Sequence, residues 1–220
     1  MFSIIQSAGW PIYPLLIASV IAVSLIIERF LSLRRDKIIP SHLLAEVLSV
    51  VRNKQLTVEA VEKLGRNSPL GFVLAAGLRY LALTPSPSRE GVKEALEDAG
   101  HTVAAKLEKY LNALGTIASI APLMGLFGTV IGMIEIFGAQ GSSAAVVANP
   151  QQLAHGISVA LINTAFGLAV AIPTLIFYRV LRGKIDVLLL QLEDQSLKFL
   201  EQGLVYKPSG TGEHRPGLDV

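Results

Sequence analysis

Charge is absent from three long stretches of this chain, and that absence limits its fold more than any other feature. No Asp, Glu, Lys or Arg occurs between Met1 and Ile27, between Leu111 and Ile134, or between Ile136 and Tyr178. A soluble domain spreads charge around its whole surface and averages about a quarter charged residues. Here 16% of the 220 residues are charged, 51% are hydrophobic, and the charges are clustered. An ordinary soluble globule is excluded, and so is a disordered chain, which needs the opposite balance. The net charge of +2 is too mild to point to nucleic acid. Without cysteine there is no disulfide framework, thiolate metal site or cysteine nucleophile, and no report on the redox compartment. Aromatic residues, at 6%, are too sparse for an aromatic cofactor cage.

A bilayer core about 30 Å thick is crossed by about 20 apolar helical residues. Residues 10–27 form the first candidate span, with Trp10 and Tyr13 at its start, where interfacial aromatics belong. No Lys or Arg precedes it, and it ends in Glu28-Arg29 instead of a small-residue cleavage site. It therefore reads as a retained anchor and not as a signal peptide. Residues 111–137, with Pro122 inside, form the second span, and residues 157–178, with Pro173 near the end, form the third. Proline is tolerated in membrane helices whose neighbours satisfy the freed carbonyls, so both point to helices packed on protein.

Lys and Arg near the span ends set the orientation. Thirteen of the 19 basic residues lie between Arg29 and Lys109, and the other six lie beyond Tyr178. Residues 1–9 and the 138–156 hairpin have none. Both basic regions are expected in the cytoplasm, with the 1–9 segment and the hairpin outside. The fold expected is an all-α integral membrane protein with three transmembrane helices, the second and third extending into a helical cytoplasmic domain.

Residues 28–110 form the cytoplasmic insert. Leu43, Leu44, Val47, Leu48 and Val51 repeat at helical spacing. Thr57 followed by Val58, Val61 and Leu64 predicts a second helix stopped by Gly65, and Pro69 to Leu83 predicts a third. Ser86 with Pro87 predicts the cap of a fourth, with Val92, Leu96, Val103 and Leu107 on one face, running without a stop into span two. After span three, residues 179–203 continue as a helix with Leu181, Ile185, Leu188, Leu192 and Phe199 in one stripe. That stripe either packs on the insert or binds a separate partner. Residues 204–220, rich in Pro and Gly, read as a disordered tail. No strand alternation and no internal repeat is present.

No catalytic constellation is visible. His42, His101, His155 and His214 lack metal-ligand spacing, and there is no Walker A loop or GxSxG. No enzyme activity, metal or cofactor is expected. The informative residues are small and polar. Ala118, Ala121, Pro122, Gly125, Thr129 and Gly132 share a face of span two, where Gly128 and Gly132 also form a GxxxG. Gly156, Ala160, Thr164, Gly167 and Ala171 share a face of span three, with Asn163 beside them as a further candidate for the lining of a proton path. Small residues let helices approach closely in lipid, and such stripes need neighbours. Thr129 lies roughly 9 Å of rise before Glu135, and Thr164 roughly 13 Å past His155, so both hydroxyls fall in the outer half at similar depth. They either pack, each bonded to its own i−4 carbonyl, or face a cavity and relay protons. Glu135 is the one carboxylate embedded in apolar sequence. An intramembrane acid is a functional candidate by default, but its place at the helix end equally suits an interfacial role. No acid lies in the middle of a span, so an ion path would need a carboxylate from another chain.

The segment from Ala121 to Met133, APLMGLFGTVIGM, resembles the second-helix signature of the MotA/TolQ/ExbB proton-channel family. Residues Ala160 to Pro173, ALINTAFGLAVAIP, resemble its third-helix signature. Three spans resemble the ExbB and TolQ branch more than the four-span flagellar stator subunit. The resemblance implies a homopentamer in the bacterial inner membrane. Helices two and three would line a pore around a single-span ExbD- or TolR-like partner that supplies a membrane aspartate. Thr129 and Thr164 match the family's pore threonines. A TonB- or TolA-like periplasm-spanning protein would receive the work, in outer-membrane transport or in envelope maintenance. Two positions depart from the best-known members: Glu135 stands where an uncharged residue is expected, and Val159 where those proteins carry a glutamate.

Two other classes compete: a membrane scaffold without an ion path, and a solute transporter, against which three spans without inverted repeats argue. The orientation is checked directly, because the chain has no cysteine of its own. Cysteines at Gly9 and Ser142 should react with an impermeant thiol reagent in intact cells, and those at Arg52 and Gln202 should not. Labelling at Arg52→Cys would overturn the topology.

Overall fold

The computed structural model describes residues 9–52, 57–140 and 150–204. The readings of residues 1–8, the centre of the 138–156 hairpin, the tail beyond Leu204 including His214, and the side chain of His155 lie outside the described residues.

The described chain is helical, without strands. Helix α1 runs from Ile12 to Ser32, and α2 is a single turn, Arg35–Ile38. Three helices follow: α3 (Leu43–Arg52), α4 (Val58–Asn67) and α5 (Pro69–Leu83). Then come two very long ones, α6 (Arg89–Gln140) and α7 (Pro150–Leu204), which pass without a break through Pro122 and Pro173. Helices α1, α6 and α7 are each long and apolar enough to cross a membrane.

Two expected helix ends are corrected. Gly65 does not stop α4, which continues to Asn67. The stop comes at Ser68, whose extended backbone (φ −156°, ψ 161°) breaks the helical path. The Ser68 hydroxyl then accepts from the Gly71 N–H at 3.0 Å and caps α5, with Pro69 pre-set at its first position. The start of α6 is also not Ser86. Ser88 takes the capping role, its Oγ accepting from the Gly91 N–H at 3.1 Å, and the helix begins at Arg89. Among four alternating Pro and Ser residues, the serine nearest the periodic run takes the cap.

The chain divides into two compact units, and both long helices contribute to each. Unit one holds residues up to 34 together with 104–187. Here α1 runs antiparallel to α6. Trp10 meets Phe127 edge-on at 6.0 Å, Leu15 packs with Ala121, Val170 and Ala171, and Arg29 reaches the Leu107 carbonyl. Arg29 is buried although charged. Its Nε pairs with Glu28 at 3.0 Å, its Nη1 donates to Leu107 at 3.3 Å, and its guanidinium lies 4.3 Å from the Tyr110 ring. Burial without those partners would be costly.

Unit two holds 35–103 and the end of α7. Leu43, Val47, Val61, Leu70, Leu74, Val92 and Leu96 are buried in it. So are Leu188, Leu192 and Phe199 from the stripe on α7. This second part of the stripe packs on the insert, with Phe199 beside Gly77 of α5, while Leu181 and Ile185 are buried in unit one. Gly77 marks a close approach between α5, α6 and α7. A Cβ there would lie 2.9 Å from Leu96 Cδ2 and 3.2 Å from Phe199 Cε1. Gly77→Val should lower stability by about 1–3 kcal/mol through overpacking. Thermal unfolding of the purified protein, followed by circular dichroism, reads that loss.

Candidate functional site

The small residues of α6 and α7 come together inside one chain. A Cβ on Gly125 would meet the Asn163 carbonyl oxygen at 2.9 Å, Thr164 Cα at 3.1 Å and Gly167 Cα at 3.3 Å. One on Gly167 would meet the Ala121 carbonyl oxygen at 2.7 Å. Gly132 faces the Gly156 carbonyl, at 3.3 Å from the same kind of probe position. Each glycine in this row is opposed by backbone, so the two helices cross at the distance only glycine permits. The neighbours that the stripes require are thus supplied first by the chain's own partner helix. Pro122 is half-buried beside this crossing and Pro173 is exposed.

Asn163 sits at the centre, fully buried, with its Nδ2 donating to the Val159 carbonyl at 3.1 Å. Its side chain fills the space that Gly128 leaves: a Cβ on Gly128 would lie 2.6 Å from Asn163 Cβ and 2.9 Å from Nδ2. Sequence reasoning placed Asn163 beside the stripe. The Gly128–Asn163 pairing moves it to the middle of the contact.

The hydroxyls in these helices divide into two behaviours. Thr174 donates to the Val170 carbonyl at 2.6 Å, Ser119 to Gly115 at 2.9 Å and Ser24 to Val20 at 2.8 Å. These are i−4 back-bonds, the ordinary way to satisfy a hydroxyl in an apolar helix. Thr129 and Thr164 do otherwise. Thr129 donates to the i−3 carbonyl of Leu126 at 2.6 Å, and Thr164 reaches across to the Gly125 carbonyl through a long 3.4 Å bond. Both are half-buried. Thr129 lies one turn beyond Gly125, so the two hydroxyls share a flank of the crossing. Residue pairing across the crossing puts them three residues apart in level, roughly 4.5 Å.

Helix α1 occupies the other flank. Trp10, just before it, meets Phe127 edge-on, and its Leu15 belongs to a cluster with Met124 and Phe166. On helical geometry these three lie roughly opposite Thr129 and Thr164 around their own helices. Among the described residues, α1 therefore leaves the flank bearing the two threonines uncovered. Glu135 is exposed and lies a third of a turn away from Thr129, so the structure does not gather it with the pair. Val159 is buried.

Residues 65–194 match the model of the MotA/TolQ/ExbB proton channel family. The chain belongs to that family. A protein named ExbB-like 3 from Synechocystis is 32% identical over 178 residues, covering 81% of this chain and 83% of that one. The biopolymer transport protein ExbB of Helicobacter pylori is 50% identical over 82 residues, 37% of this chain and 55% of the relative. The Tol-Pal system protein TolQ of Pseudomonas aeruginosa is 38% identical over 105 residues, 48% and 45% of the two chains. Relatives of both names occur, so the chain is a proton-channel family member of the ExbB/TolQ type. With three long apolar helices, it is a multi-pass membrane protein of a family defined by transport.

The glycine row gives a paired test. Gly128→Ala adds one methyl against Asn163, whereas Gly138, at the end of α6, has nothing within 4 Å of the same position. Gly128→Ala should cost about 1–3 kcal/mol and Gly138→Ala next to nothing, as read by thermal inactivation in detergent.

Proposed function

We propose that this chain is the proton-conducting stator subunit of an inner-membrane motor. The observation that supports the reading best is the pair of threonine hydroxyls on the flank of the α6–α7 crossing that α1 does not cover among the described residues. They stand at nearly one level, and one of them reaches across to the other helix instead of back-bonding in its own. Several copies, a homopentamer on the family pattern, would turn these flanks towards a shared pore. Residues 1–9 and the 138–156 hairpin face the periplasm in this reading, and unit two is cytoplasmic.

The proton-binding carboxylate comes from the partner, a single-span ExbD- or TolR-like protein. A carboxylate exposed to lipid is expensive. Hydroxyls of Thr129 and Thr164 offer it hydrogen bonds when charged, and protonation weakens that preference. Each proton crossing 100 mV supplies about 2.3 kcal/mol. The alternating preference converts that energy into movement of the subunit ring around the partner, and a TonB- or TolA-like protein carries the work outward. Asn163 fixes the crossing, and Glu135 acts near the outer mouth, at the interface. Outer-membrane transport is the ExbB-like role and envelope maintenance the TolQ-like one. The longer coverage of the ExbB-like relative supports the first.

Thr129→Val and Thr164→Val keep shape and remove the hydroxyl. Both variants should still co-purify with the partner while proton-motive-force-dependent uptake or growth falls at least tenfold. Thr→Ser should retain much of the activity, and Glu135→Gln should be milder. Full activity in the Thr129→Val/Thr164→Val double variant would return a scaffold role to first place.

A further inference from the structure

The inner end of α1 is bracketed by cations that lie over aromatic rings. Lys184, on α7, places its Nζ 5.2 Å from the centre of the Phe30 ring. Lys109, on α6, lies 5.4 Å from the centre of the Tyr110 ring, which Arg29 also stacks on. All belong to unit one. Among the described residues, neither lysine is paired with a nearby acid. Glu28 pairs with Arg29 at 3.0 Å, and the pKa of Arg182 is raised by a hydrogen bond with Tyr178 and by the charges of Tyr178, Glu108 and Asp186.

Directly towards the membrane from these cations the surface turns apolar. Phe30, Ile27 and Val23 follow one another on α1 at steps of three and four, and all are more than half exposed. Val180 and Phe177 do the same below Lys184 on α7 and are also exposed. A cation at the rim with an apolar strip running away from it along each helix is complementary to a phosphate that carries acyl chains. A free phosphate would leave the strips unmatched.

We propose that the inner end of α1 is an anionic-phospholipid site, in which Lys184 and Lys109 hold lipid phosphates. The acyl chains lie along Val23, Ile27 and Phe30. The proposed function enters only through the orientation, which makes the cytoplasmic leaflet the source. Lysine stems snorkel along apolar surface while the ammonium stays with the headgroups, so both side chains can meet a phosphate without leaving their rings. The site would fix α1 at the edge of the bundle, where it already covers one flank of the α6–α7 crossing.

The test is native mass spectrometry of the full chain released from nanodiscs containing equal phosphatidylglycerol and phosphatidylcholine. The wild-type protein should carry phosphatidylglycerol in clear excess. Each lysine near an anionic surface is worth about fivefold in affinity. Lys184→Gln and Lys109→Gln should each reduce the excess by about that factor, and the double variant should abolish it. Lys184→Arg/Lys109→Arg should keep it, which separates charge from damage to the fold. Lys93→Gln, at an exposed i,i+4 pair with Glu97 in unit two, should change nothing. Equal retention of both lipids by the wild type, or an unchanged excess in the double glutamine variant, overturns the site. The readout does not involve proton flow. A wild-type chain with no lipid preference and intact motor activity counts against this site alone, and one with a clear preference and no proton-driven activity counts against the proposed function alone.

Discussion

The close approach of two helix backbones at Gly125 and Gly167 governs the rest of unit one. In lipid there is no hydrophobic force to press helices together, so association rests on packing and on hydrogen bonds. A glycine row maximises the first by removing side chains from the contact, and Asn163, buried opposite Gly128, fills what remains. From that contact the other placements follow. The helices can cross this closely only with large residues such as Leu123, Leu126 and Leu161 turned outward, and these are exposed in the single chain. The threonines are carried to one edge of the contact and the aromatic anchors of α1 to the opposite edge.

The same crossing explains why the hydroxyls of these helices are not equivalent. A hydroxyl facing a packed neighbour or lipid has its own i−4 carbonyl as the nearest acceptor, and Thr174 and Ser119 take it. Thr164 sits where the partner backbone is close enough for another helix's carbonyl to compete. Its 3.4 Å bond is at the long limit and correspondingly weak. A weakly held hydroxyl at an open edge is easier to recruit for another acceptor than a strongly back-bonded one in the packed centre.

Much of this architecture was legible in the chain before any coordinates. Three charge-free stretches define three long apolar helices, and the heptad-like spacing of Leu181, Ile185, Leu188 and Leu192 marks a face that is buried in the structure. Helix ends were less legible. Ser86 and Ser88 carry the same chemistry two residues apart, and only the register of the following helix selects Ser88. Gly65 has the composition of a stop, yet an intact helical path through it costs only about 1 kcal/mol. At the site, composition marked the glycines and threonines, but not which neighbour the glycines serve. A small-residue stripe reads the same whether it faces a second chain or the next helix of its own. The role of Asn163 was hidden for a related reason: a buried amide is recognisable only when the residue opposite it is known to be Gly128.

The energies involved favour a shared role for the threonines over a single decisive contact. Interhelical hydrogen bonds measured in membrane proteins average about 0.6 kcal/mol and reach about 1.7. One proton moving through 100 mV supplies about 2.3 kcal/mol. A single threonine bond to a partner carboxylate is therefore too weak to hold the proposed motor against the driving force, and two together are comparable with it. That balance suits a cycle in which the charged carboxylate must be held long enough to order its position and then released on protonation. A stronger donor, such as a buried arginine facing the pore, would trap the charged state. Arg29, the buried arginine of unit one, is committed to Glu28, Leu107 and Tyr110 at the far end of the bundle. In the proposed motor, weak, paired hydroxyls beside a rigid glycine crossing would provide a mobile electrostatic preference on a fixed frame, as a device that turns protonation into motion requires.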